Sequence, residues 1–214
     1  MYVFPYINLK KKLEIVKYNK KVQKKLDINI NNYIEYAKKY STIIVEEEFE
    51  DEKINPCGVN KPNFTFKFSE NKKIIMNIEY PITDFSFLFM DCKGLKKIKF
   101  KQFFRNNVTK MMGMFAGCAE LEEVDFSESC DTSNVTDMSI MFFSCTKLKK
   151  IKGLDKFDTR KVITMAGMFD KCKSLEELDV SNFIIKEEAN IDYMFSGIPE
   201  KTRKEINELP QFMK

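Results

Sequence analysis

The chain has 214 residues, 43% of them hydrophobic, which is enough to bury a core as one domain or as a repeat array with a cap. Its 36 basic and 32 acidic residues leave a net charge of +4, too small to mark a nucleic-acid face, which needs basic residues concentrated on one side. The absence of histidine removes Ser-His and Cys-His nucleophile pairs and the commonest zinc ligand.

The first residues, MYVFPYINLKKK, lack a basic region followed by an apolar one, so no secretory leader is expected. No apolar run approaches the roughly 18 residues of a membrane span. The expected location is therefore cytoplasmic, with the sequons at Asn63, Asn107 and Asn134 unused. Met1 to Ser41 carries ten lysines against three acidic residues, partly offset by Glu46 to Glu52, and reads as a solvated helical face beside an acidic loop. Asn8 to Leu26 predicts a basic helix with Leu9, Leu13, Val16 and Leu26 inward, and Asn31 to Tyr40 a second helix. Thr42 to Glu48 predicts a strand. Asn63 to Tyr80 predicts a hairpin turning at Glu70-Asn71, whose second strand leads into the next segment and shields its open edge.

From Ile82 onward the chain repeats. ITDFSFLFMDCKGLKKIKF, VTKMMGMFAGCAELEEVDF, VTDMSIMFFSCTKLKKIKG and VITMAGMFDKCKSLEELDV are followed by the shorter NIDYMFSGI. Phe89, Phe115, Phe142, Phe169 and Phe195 fall 26, 27, 27 and 26 residues apart, and Cys92, Cys118, Cys145 and Cys172 fall 26, 27 and 27 apart. A period of 20–29 residues is that of leucine-rich repeats, each adding a short strand and a helical segment. Met138, Met141, Phe142 and Cys145 have the i, i+3, i+4, i+7 spacing of a buried helical stripe, with Asn134 or Thr136 as cap and Asp137 in the first turn. The segment that follows switches to strand patterning, with Leu148 and Ile151 inward. Equivalent cysteines on stacked repeats are parallel and do not converge, no CxxC occurs, and the thiols read as buried and reduced small apolar groups. Cys57 and Cys130 fall outside this ladder. At the C-terminal end, a polar segment begins at Pro199 and Arg203 to Leu209 predicts a short capping helix.

DTSNVTDMSIMFFSC (Asp131 to Cys145) and SLEELDVSNF (Ser174 to Phe183) resemble the tandem unit of the BspA-like leucine-rich-repeat family, approximately VTDMSxMFxxCxxLxxLDLSNFDTSN. The resemblance covers Ile82 to Ile198; KGLDKF departs from it after Ile151, as does the chain after Phe195. That family includes surface and adhesive proteins of bacteria and parasitic protists, so the resemblance implies a binding scaffold without enzymatic activity. The expected fold is an α/β leucine-rich-repeat solenoid of about five coils. A cap of two helices, a strand and a hairpin occupies 1–81, the repeats 82–198 and a C-terminal cap 199–214.

In register, the outward strand positions would read Lys96-Lys97-Lys99, Glu122-Glu123-Asp125, Lys149-Lys150-Lys152 and Glu176-Glu177-Asp179, alternating in sign. Opposite charges on strands ~4.8 Å apart contribute roughly 0.2–1 kcal/mol per pair, so the ladder orders the stack. The same surface is poor for a uniform polyanion and suits a protein of matching charge. The candidate partner-binding residues are thus Lys97, Lys99, Glu123, Asp125, Lys150, Lys152, Glu177 and Asp179. The expected function is a monomeric, non-enzymatic adaptor with a protein partner, no nucleic acid, no membrane span, no metal and no cofactor. Two alternatives stand beside it. Phe4-Pro5 and the following apolar residues resemble an F-box, which would make the chain a ubiquitin-ligase substrate receptor; a signal sequence encoded upstream would make it a surface adhesin.

Overall fold

The computed structural model describes residues 42–49, 64–68, 73–78, 83–92, 94–100, 107–127 and 130–213. The two N-terminal helices expected within 1–41, with the F-box-like segment, lie outside them. One sheet carries six strands in the order β2-β3-β1-β4-β5-β6. These are β1 (Thr42–Phe49), β2 (Phe64–Phe68), β3 (Lys73–Ile78), β4 (Leu95–Phe100), β5 (Glu123–Asp125) and β6 (Lys150–Lys152). β2 and β3 form the expected hairpin, but its second strand does not cover the repeats. β1 lies between them, antiparallel to both β3 and β4. Sequence adjacency favoured β3; the position beside β4 goes to a strand about fifty residues upstream, a non-local pairing that local patterning does not encode.

From β4 the pairing becomes parallel, and equivalent residues of successive repeats become neighbours. Ile98 pairs with Val124 and Val124 with Ile151. On another side of each repeat, single parallel bridges link Asp84 to Lys110, Lys110 to Asp137, Asp137 to Thr164 and Thr164 to Asn190. Between these two ladders lies the core. Phe89, Phe115, Phe142, Phe169 and Phe195 stack nearly parallel, with centroids 5.1, 5.4, 5.7 and 5.9 Å apart. Phe100 stacks on Phe126 at 4.8 Å. Leu121, Leu148 and Leu175 are buried between the two sides.

The segment expected to be helical buries the expected side chains but is not an α-helix. Met138, Met141, Phe142 and Cys145 are all fully buried, on a backbone of consecutive turns. Alternate N–H groups turn back three residues, as Phe143 to the Ile140 carbonyl and Cys145 to that of Phe142 (both 3.1 Å). The intervening ones reach the next repeat: Met138, Ile140, Phe142 and Ser144 donate to the carbonyls of Thr164, Ala166, Met168 and Asp170 at 2.8–3.0 Å. An α-helix would keep those donors for itself. The exchange requires a left-handed residue at every fourth position, seen at Ile140 and Ser144 (φ 49° and 57°) and at Gly113 and Gly117 (58° and 76°). Turns of this length return side chains to one side much as a helix does, which is why the spacing misleads. Asp137 takes part differently as well: its carboxylate accepts from the Ser139 N–H (2.9 Å) and hydroxyl (2.6 Å). The Thr136 hydroxyl donates to the Thr109 carbonyl of the preceding repeat.

The thiols explain their own ladder. Cys118, Cys145 and Cys172 donate to the carbonyls of Phe89, Phe115 and Phe142 at 2.9–3.1 Å, each in the repeat before. Cys130 is likewise free and buried. Cys92 departs from the expectation of a reduced ladder: it is equally buried but disulfide-bonded. The C-terminal cap is a helix, α1 (Glu200–Asn207), followed by a short 3-10 turn at Pro210–Phe212. The Thr202 hydroxyl donates to the Leu175 carbonyl (2.8 Å), and the Gln211 amide to those of Val180 and Ser181 (3.0 Å each).

Candidate interaction surface

The strand segments alternate inward and outward, so Leu95, Ile98 and Phe100 are buried while Lys97 is exposed and Lys99 half-buried. Parallel register then sets the predicted residues in two rows. One runs Lys97, Glu123, Lys150 and, through a single bridge, Glu177; the other runs Lys99, Asp125 and Lys152. β1 extends both rows: Glu48 stands opposite Lys97 and Glu46 opposite Lys99. That continuation was visible only as an acidic run. A third row passes through Lys96, Glu122, Lys149 and Glu176, linked by backbone hydrogen bonds.

Ion pairs cross between the stripes. Lys149 meets Glu122 at 3.0 Å, Lys99 meets Asp125 at 3.7 Å, Lys150 pairs with Glu177, and Lys152 reaches diagonally to Glu123. The hydrogen bond from Lys149 holds the Glu122 carboxyl below its usual range, and the one that Lys152 donates to Glu123 holds the Lys152 ammonium above its own. Asp125 is the least available of the eight. Burial pushes its carboxyl up, but hydrogen bonds from Ser127 and the nearby Lys99 and Lys152 bring it below the usual value. Asp179 lies beyond the paired rows, its carboxylate taken by the Ser181 N–H (3.0 Å) and hydroxyl (2.6 Å) and lowered by them.

Past β6 the ladder narrows to the Lys150–Glu177 bridge, and a groove of about 470 Å³ opens there. Ile151, Leu178 and Leu209 contribute its apolar lining, and Lys150, Lys152, Asp155, Glu177, Asp179 and Glu205 its charged lining. Half of the predicted residues therefore line a concave feature; the rest lie along β4 and β5, where Asp125 is buried. Among the described residues no group of three or more Cys, Asp or Glu is placed to hold a metal ion, and no helix is long and apolar enough to cross a membrane.

These repeats define a protein class by sequence. Residues 83–208 match the family described as Mycoplasma protein of unknown function, DUF285. The matched span covers more than half of the chain, and the chain belongs to that family. Comparison with curated proteins and with solved structures gave no match.

Proposed function

We propose that the chain is a BspA-like leucine-rich-repeat solenoid acting as a non-enzymatic scaffold that binds a protein through its strand face. The observation that carries this reading is the pair of registered rows of alternating charge ending in a groove lined by charges of both signs. Such a surface repels a uniform polyanion at every second stripe and selects a partner of alternating sign. The lateral ion pairs leave charge for that role, since exposed pairs contribute little to stability.

The test exploits the different responses of stacking and recognition to sign. Glu123→Lys alone puts three like charges side by side, with Lys97 and Lys150 as neighbours, and is expected to lower stability by about 1 kcal/mol. Reversing both rows together (Glu46→Lys, Glu48→Lys, Lys97→Glu, Lys99→Glu, Glu123→Lys, Asp125→Lys, Lys150→Glu, Lys152→Glu, Glu177→Lys) keeps every lateral neighbour and the Lys152–Glu123 diagonal opposite in sign, so stability should return to near the parent value. Affinity capture from the source organism with parent and row-inverted chains should then recover different proteins. Identical recovery, with both chains folded, would remove the strand face from recognition.

One observation favours the surface-adhesin form of the same binding role over a cytoplasmic adaptor. Disulfides persist in oxidising surroundings, and Cys92 is in one. Mass measurement of Cys92 in protein taken from the organism under non-reducing conditions decides between them.

A further inference from the structure

The turn side of the stack ends in an uncapped row of donors. Within the stack, the outward N–H groups of each repeat are taken by carbonyls of the next: Met165, Gly167, Phe169 and Lys171 donate to Asn190, Asp192, Met194 and Ser196 at 2.8–2.9 Å. The equivalent N–H groups of the last repeat are those of Ile191, Tyr193, Phe195 and Gly197. Among the described residues no acceptor takes them, and α1 caps elsewhere, through Thr202 on Leu175 and Arg203 on the Phe195 carbonyl.

A side-chain register accompanies this row. One of its two left-handed series runs Phe87, Gly113, Ile140, Gly167 and Tyr193, alternately large and glycine. The alternation is steric. A Cβ on Gly113 would lie 2.5 Å from the Phe87 ring, and one on Gly167 would lie 3.2 Å from the Ile140 side chain. Each large residue thus lies over the glycine of the following repeat, which repays its strained backbone with a contact. Tyr193 is the next large residue in the series, held at φ 58° and 78% exposed, with no glycine beyond it.

We propose that this edge docks a segment of another protein that continues the turn ladder. The segment presents alternate carbonyls to the four N–H groups and places a glycine under Tyr193. Phe212 meets Phe195 edge-on at 5.2 Å and ends the ring column, so the segment has a small residue where the internal repeats have phenylalanine. A second copy of this chain does not fit, because its first repeat would bring Phe87 to Tyr193. The surface is separate from the strand face, and the inference stands or falls independently of the reading above.

The segment Val162 to Cys172 already performs this role inside the stack, so the probe is a synthetic peptide of that sequence with Phe169→Ala. Added to the ¹⁵N-labelled full chain, it should shift the amide signals of Ile191, Tyr193, Phe195 and Gly197 and slow their hydrogen exchange at least tenfold. The same peptide with Gly167→Val should bind at least tenfold more weakly. The exposed Tyr193→Ala variant should accept both peptides alike, which separates the glycine register from general stickiness. Slow exchange of the four amides in the free chain, peptide shifts confined to other amides, or equal binding of both peptides to the parent would each overturn the proposal.

Discussion

Phe142 sits between two parallel rings, Phe115 at 5.4 Å and Phe169 at 5.7 Å, and is fully buried. A ring missing from the middle of the column leaves a cavity that fixed neighbours on both sides cannot close. Phe142→Ala should therefore cost roughly 3–5 kcal/mol in denaturant unfolding. Lost binding with unchanged unfolding would mean the ring is a contact and not core. The thiols beside this column are expected to be unreactive for a related reason. Burial pushes Cys118 and Cys172 up to about 12 and raises Cys145 and Cys130 well above the ordinary thiol value. With almost no thiolate at neutral pH, alkylation of the native chain should spare these four. Denaturation should expose them, and Cys92 should label only once reductant is added. Rapid native alkylation of Cys145, read by peptide mass, would contradict the buried ladder.

At the level of elements, charge and backbone geometry left unequal traces in the sequence. The strand rows were legible because inward apolar and outward charged residues alternate with period two, and the sign reverses at a fixed spacing. The turn segment was legible as to burial and not as to conformation: left-handed Phe87, Ile140 and Tyr193 carry no compositional sign, and only Gly113 and Gly167 hint at the requirement. The position of β1 left none. The rows also make a pH prediction. Glu122, Asp125 and Asp179 have carboxyls lowered in the folded chain, so their contribution is present above the unfolded value of about 4 and is lost as pH falls through the folded ones. Lys152 is raised, so its contribution is present below its unfolded value of about 10.4 and lost only as pH rises past it. Stability should be nearly flat across about pH 5–9 and drop below about pH 4, where only the lysine stripes stay charged. Added salt at neutral pH should have a small effect, because the pairs are exposed. An acid transition centred near pH 6 would point to groups other than these rows.

Over the whole molecule, each repeat is bonded chiefly to its neighbours, so stability propagates along one dimension and depends on how the ends are closed. β1 closes the strand ladder at one end. At the other, α1 and the 3-10 turn supply side-chain donors to carbonyls of the last two repeats, Thr202 to Leu175, Gln211 to Val180 and Ser181, and Arg203 to Phe195. Thr202 is 2% exposed, so Thr202→Val keeps its shape and leaves the Leu175 carbonyl without that donor in a dry site, at a cost of about 1–3 kcal/mol. In a globally cooperative fold that loss would be felt by every amide. In a one-dimensional stack it falls first on the last repeats, where fraying begins. Hydrogen exchange of Thr202→Val with Gln211→Ala should thus speed up amides around Leu175 and Met194 by tenfold or more, change those around Met168 less, and leave β4 and β5 at parent rates. Uniform acceleration from Ile98 to Met194 would show that the repeats unfold as one unit and that the cap's contacts are shared by the whole chain.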